Sequence, residues 1–112
     1  MQIEEKKVGD VLVVLPREGR IDASVSTGFK GRIVDWINQG NRRIILDLSH
    51  VDFIDSSGLG AIVSSLKTMG PDGSLVLCGI RETVMGLFKL TRMNRVFQIF
   101  TDESEAIEAL SK

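Results

Sequence analysis

The sequence predicts a single α/β domain in which strands and helices alternate around a mixed β-sheet. Three observations predict this class. The length of 112 residues suits one domain, and 43% apolar with 26% charged residues is typical of a globular protein. Apolar runs typical of strands also alternate along the chain with apolar residues at helical spacing. We expect one domain over 1–112, with a mixed central sheet of about five strands, an opening hairpin and about four helices.

Two strands separated by a turn open the chain, and a helix and a strand follow. Gly9-Asp10 is a turn signal between two β-prone runs, which predicts a hairpin. A helical apolar pattern follows, and Gly40 and Asn41 end it. The next apolar run lacks polar alternation, as expected of a central strand. The elements predicted for this half are strands at 2–7 and 11–15, a crossing segment at 17–22, a helix at 25–39 with Phe29, Ile33, Trp36 and Ile37 inward, and a strand at 43–48.

The second half continues the alternation and ends on a helix. Gly70-Pro71-Asp72-Gly73 separates a helix from a buried strand. Asp102, followed three residues later by Glu105, predicts a capping box at the last helix. The elements predicted for this half are a helix at 58–68, strands at 74–78 and 96–100, a helix at 82–90 with Val84, Leu87 and Phe88 inward, and a helix from 102 with Ala106, Ile107, Ala109 and Leu110 inward.

Composition and charge exclude several classes of function. The net charge of −1, without a long run of one sign, argues against a nucleic-acid binder and against a polybasic membrane patch. Cys78 is the only cysteine, so we expect no intrachain disulfide and no thiolate zinc site, and we interpret it as a small buried hydrophobe. We predict no metal and no cofactor. Without a signal-type segment or an apolar run of ~18 residues, the sequence predicts a cytoplasmic protein with no membrane insertion.

The most informative segment is the turn at 53–58, between a buried strand and a helix. Strand-to-helix turns of α/β folds collect functional groups at the carboxyl ends of parallel strands. Ser56 or Ser57 can act as the N-cap, and Gly58 and Gly60 relax the backbone where a bulkier residue would not fit. A helix start favours an anion by about 0.3–1 kcal/mol, and a phosphoserine would add about −1.5 to −2 charges. The residues alone therefore predict either a simple cap or a phosphorylatable helix start.

Catalytic interpretations of this turn fail on its residues. Gly58-Leu59-Gly60 lacks the third glycine of a dinucleotide loop and the lysine of a phosphate loop. A nucleophile elbow needs a glycine where Ile54 or Asp55 stands. The only imidazole, His50, is expected in a loop and makes a poor catalytic base, so a small hydrolase using either serine lacks its machinery. We predict that the protein is not an enzyme.

The run from Asp47 to Gly60, DLSHVDFIDSSGLG, resembles the signature of the STAS domain, in the form found in stand-alone bacterial anti-sigma factor antagonists. Gly19-Arg20-Ile21-Asp22 resembles a second stretch of that family, and the segments 88–91 and 96–100 resemble its C-terminal part. The resemblance covers essentially the whole chain. It favours a regulatory role for the serines over capping alone.

The resemblance implies partner switching. The unphosphorylated protein would bind an anti-sigma factor that is also a serine kinase and so free the sigma factor. Phosphorylation would end that binding, and a serine phosphatase would restore it. The implied phosphoacceptor is Ser56, with Ser57 as the fallback. The residues implied to surround the acceptor or to form the docking surface are Asp22, Asp55, Ser57, Gly58, Leu59 and Gly60.

Alternatives remain open at the level of sequence. A non-phosphorylated STAS subunit bound to a transporter ATPase would share the fold and would bind its partner regardless of phosphate. A stressosome-type scaffold is disfavoured because such chains usually carry an additional N-terminal domain. The intact Asp-Ser-Ser-Gly motif favours the phosphorylated regulator.

Overall fold

The computed structural model describes residues 1–111 and contains four α-helices. The elements in chain order are β1 Ile3–Val8, β2 Val11–Pro16, β3 Arg20–Ile21, α1 Ser26–Asn38, β4 Arg43–Asp47, β5 Phe53–Ile54, α2 Ser56–Met69, β6 Ser74–Cys78, α3 Glu82–Leu90, a 3₁₀ turn Met93–Arg95, β7 Ile99–Phe100 and α4 Glu103–Leu110.

The main sheet has five strands in the order β1-β2-β4-β6-β7. β1 and β2 pair antiparallel around Gly9, whose φ of +62° suits glycine, and the other neighbouring strands pair in parallel. The predicted mixed sheet, opening hairpin and four helices are therefore confirmed. Because the parallel strands share one direction, their carboxyl ends lie along one edge.

The sheet is covered unequally on its two faces. α1, α2 and α3 pack on one face, with the predicted inward residues Phe29, Ile33 and Phe88 fully buried. Among the described helices, α4 alone covers the other face through Ala106 and Leu110, over Val11, Val13, Ile45, Val76 and Cys78. Burial raises the pKa of the Cys78 thiol to about 12, as expected of a thiol that acts as a small hydrophobe.

Four details differ from the prediction. The crossing segment contains β3, which pairs with β5 in a separate two-stranded sheet. Neither strand was predicted, because two residues are too few to show the alternation typical of a strand. β7 is shorter than predicted because residues 96–97 turn back onto the 3₁₀ segment, where the N–H groups of Val96 and Phe97 both donate to the Met93 carbonyl. Ala109 is exposed. At the start of α4 the Asp102 carboxylate accepts from the Glu105 N–H, as a capping box predicts. The Glu105 carboxylate, however, accepts from the N–H of Thr101 and not from that of Asp102.

The first turn of α4 meets the end of β4 through two neighbouring carboxyl groups, those of Glu103 and Asp47. Asp47, at the carboxyl end of β4, is only 7% exposed, and Glu103 also pairs with Lys6 at 2.9 Å. Hydrogen bonding to Asp47 and burial raise the pKa of Glu103, against the opposing effect of Lys6. Burial alone would raise the pKa of Asp47, but hydrogen bonds with Glu103 and Ser49 lower it overall. Glu103 is thus the partner that keeps a proton between the two carboxyl groups.

This pair makes stability depend on pH. The raised pKa of Glu103 adds to the free energy of unfolding fully below the ordinary glutamate pKa of 4.5. This added stability is lost as the pH rises through the pKa that Glu103 has in the folded protein. We therefore expect the raised pKa of Glu103 to lower the free energy of unfolding of the wild type as the pH rises above that ordinary value, and Glu103→Gln to flatten that slope, since glutamine donates to Asp47 at every pH. Urea titrations of both proteins at several pH values measure the two slopes. Glu108→Gln, on the exposed side of α4, is the control. Equal slopes in the wild type and Glu103→Gln would contradict the shared proton.

Candidate functional site

α2 begins at Ser56, and the residue that caps it is Asp55 rather than a serine. Asp55 has an extended backbone, and its Oδ1 accepts a hydrogen bond from the Gly58 N–H at 2.9 Å. Its Oδ2 accepts from the N–H of Ala23, in the loop after β3, at 3.2 Å. The predicted serine cap is therefore wrong: the two carboxylate oxygens of Asp55 accept one bond each, from the helix start and from the loop after β3.

Ser56 and Ser57 occupy the first two positions of α2, and both are exposed. Since Asp55 supplies the cap, neither hydroxyl is needed to hold the helix. Their backbone N–H groups precede the first intrahelical bond, from the Leu59 N–H to the Asp55 carbonyl. The helix start therefore presents two free hydroxyls beside backbone donors that favour an anion.

Gly58 is required by the close approach of β3 to the first turn of α2. A Cβ at this position would overlap the carbonyl oxygen of Ile21 and lie 3.0 Å from the Ile54 side chain. This confirms that a bulkier residue does not fit at Gly58. At Gly60 a Cβ would meet nothing within 4 Å, so the same expectation is wrong there.

Of the two predicted acidic residues, Asp55 directly precedes Ser56, and Asp22 lies in the loop that Asp55 contacts through Ala23. The Asp22 carboxylate accepts from the Ser24 hydroxyl at 2.6 Å and from its N–H at 3.0 Å, and Arg20 Nε lies at 3.4 Å. These contacts, with the Ser24 hydroxyl first, lower the pKa of Asp22. The bond from the Ala23 N–H to Asp55 then joins the residue after Asp22 to the start of α2.

The predicted docking residues divide into buried and exposed ones. Within the first turn of α2, Gly58 is buried and Leu59 is only 8% exposed. Ser56, Ser57 and Gly60 are exposed.

Two residues at this surface were not singled out from the sequence. The guanidinium carbon of Arg20 lies 4.2 Å from the ring centroid of Phe53, and the ring is 40% exposed. Phe53 is an aromatic residue close to the serines in the sequence, which is a signal that the sequence did offer, but only the β3–β5 pairing places Arg20 opposite it. His50 lies in an exposed turn, as expected.

The capping role of Asp55 predicts how its substitution changes the free energy of unfolding. Asp55→Ala removes the bonds to both Gly58 and Ala23, so we expect the free energy of unfolding to fall by about 1–2 kcal/mol. Asp55→Asn retains one carbonyl oxygen and should lose about half as much. Urea unfolding of both variants measures the difference. Equal stabilities of wild type and Asp55→Ala would show that the carboxylate does not hold the turn.

Among residues 1–111, no three histidine, cysteine, aspartate or glutamate side chains are grouped so as to hold a metal ion. No helix that the structure describes is both long and apolar enough to span a bilayer.

Known proteins resemble this chain over nearly its whole length. The family model of the STAS domain matches residues 2–106. A Thermotoga maritima protein whose name describes it provisionally as an anti-sigma factor antagonist is 33% identical over 109 residues, which are 96% of each chain. The Anti-sigma F factor antagonist of Paenibacillus polymyxa is 27% identical over 98% of this chain and 95% of its own length. A crystal structure from Thermotoga maritima superimposes with a TM-score of 0.91 at 32% identity, covering 98% of this chain and 95% of that one.

Proposed function

Since this chain belongs to the STAS domain family, we propose that it is an anti-sigma factor antagonist that works by partner switching. In its unphosphorylated form it binds an anti-sigma factor that is also a serine kinase, and so frees a sigma factor for transcription. Phosphorylation of Ser56 ends that binding, and a serine phosphatase restores it. The protein is the substrate of this chemistry and not a catalyst, and it works in the bacterial cytoplasm.

The observation that carries the proposal is the position of Ser56. Its hydroxyl is exposed at the first position of α2, while the neighbouring Asp55 does the capping. A kinase can therefore modify the hydroxyl without unfolding the helix start. A phosphate at this position also meets the positive end of the helix, so it can be accommodated with little change in the fold. Ser57, exposed at the next position, remains the fallback acceptor.

The test is a capture experiment from the native lysate with wild type, Ser56→Ala and Ser56→Asp as baits, followed by mass spectrometry. We expect an anti-sigma factor with a kinase domain to be retained by the wild type and Ser56→Ala, and to be lost with Ser56→Asp. A transporter ATPase retained equally by all three baits would instead indicate the structural-subunit role.

The acceptor is assigned with the captured kinase after purification. Incubation with ATP should add one phosphate to the wild type and to Ser57→Ala, and none to Ser56→Ala. Phosphorylation of Ser56→Ala but not of Ser57→Ala would move the acceptor to Ser57.

A further inference from the structure

Three carboxylates, one on either side of β5 and one on the loop after β3 that the start of α2 contacts, already bind groups of this chain. Asp55 accepts from Gly58 and Ala23, as described above. Asp22 accepts from both donors of Ser24. Asp52 pairs with Arg81 at 2.7 Å. Each of these acidic residues therefore already has a structural role within this chain.

Arg20 and Phe53, here called the anchor pair, have unused binding capacity. The only polar contact of Arg20 among residues 1–111 is the long one from its Nε to Asp22, at 3.4 Å, so both terminal nitrogens remain unpaired there. Phe53 has one face under Arg20 and remains 40% exposed, although Val51 and Ile54 on either side of it are buried. Arginine and aromatic side chains, phenylalanine included, are enriched at protein–protein interfaces, and arginine is also enriched among the residues that dominate binding energy.

The anchor pair is held rigidly next to the acceptor. Arg20 and Phe53 are register partners in the parallel β3–β5 pair. The neighbouring residue of β3, Ile21, packs its carbonyl against Gly58 in the first turn of α2. Phe53 also precedes Ser56 by only three residues. Side chains that are ordered before binding lose less conformational entropy when a partner docks.

We infer that the anchor pair is the recognition element for the partner, and that the partner's surface opposite Ser56 is acidic. That surface presents an apolar pocket to the Phe53 ring and a carboxylate to the free nitrogens of Arg20, which suit a planar two-oxygen acceptor. The inference rests on the proposed function and deepens it. A phosphate on Ser56 would then face the partner's own carboxylate, so the repulsion that ends binding arises mainly across the interface and not within this chain.

The test is isothermal titration with the purified anti-sigma factor kinase recovered by capture. We expect Phe53→Ala to weaken binding by about thirtyfold or more. Arg20→Glu should weaken it more than Arg20→Ala, because it places a carboxylate against a carboxylate. Added salt should weaken wild-type binding more than it weakens that of Arg20→Ala. The matched controls are Leu90→Ala, at a residue 83% exposed, and Arg95→Glu, and both should bind within about threefold of the wild type.

Circular dichroism and the melting temperature of each variant show whether unfolding is the cause of any loss of affinity. Phe53→Leu, which keeps an apolar side chain, should recover part of the affinity that Phe53→Ala loses. Wild-type affinity in Phe53→Ala and Arg20→Glu, together with release by Ser56→Asp, would overturn the anchor pair but leave the proposed function intact. Wild-type affinity in Ser56→Asp would instead overturn the proposed function.

Discussion

Replacing Ser56 by aspartate is expected to weaken binding of the anti-sigma factor kinase by about a hundredfold while leaving the melting temperature nearly unchanged. Such a loss needs only about 2.7 kcal/mol, which one desolvated charge at an interface can supply. Stability should change little because the side chain is exposed and an acid suits the first turn of a helix, although Asp55 is adjacent. A phosphate carries more charge than aspartate, so phosphorylation should weaken binding at least as much.

The matched control is Ser104→Asp. Ser104 is also an exposed serine in the first turn of a helix, but α4 lies on the opposite face of the sheet from α2. Titration calorimetry of both variants separates a local effect from a change in net charge. If the two substitutions weakened binding equally, or if neither did, charge at the start of α2 would not be the switch.

Gly58→Ala is expected to lower the free energy of unfolding by about 2–3 kcal/mol, the largest effect on stability among these variants. The added Cβ would overlap the Ile21 carbonyl, so β3 must move away from α2. Backbone cannot yield as cheaply as a flexible side chain. Since β3 also carries Arg20, the displacement should weaken partner binding as well.

Gly60→Ala is the control for helix propensity. Both glycines lie in α2, but a Cβ at position 60 would meet open space. Alanine there should leave stability unchanged or raise it by up to about 1 kcal/mol. Urea unfolding with circular dichroism measures both variants. Similar stabilities for the two would contradict the close approach of β3 to α2.

Most of the fold could be predicted because its elements are long enough to show a period. The helix face of Phe29, Ile33, Trp36 and Ile37 and the β-branched central strands carry such patterns, and the structure confirms them. The β3–β5 pair could not be predicted, because two residues carry no period and their pairing joins positions more than thirty residues apart. The segment at 96–98 was predicted as strand because its apolar residues resemble one, but Phe97 instead packs edge-to-face on Phe88, with the ring centroids 6.2 Å apart.

The candidate site likewise has one part that the sequence predicted and another that it could not. The local motif at 55–60 indicated an exposed serine at a helix start, and the structure places Ser56 and Ser57 there. Which residue caps the helix was not settled by the motif, because aspartate and serine are about equally good caps in isolation. The contact of Asp55 with Ala23 decides it, and that contact exists only after β3 has docked beside β5.

The sequence by itself determined the α/β class, the order of the longer elements and the serines at the start of α2, since these follow from periodicity and from short local motifs. Tertiary structure alone decided that Gly58 is obligatory while Gly60 is not, and that the nearby carboxylates are occupied. It alone decided that Arg20 lies over Phe53 next to the acceptor. The physical reason is that these properties depend on contacts between residues distant in the chain, which no local pattern records.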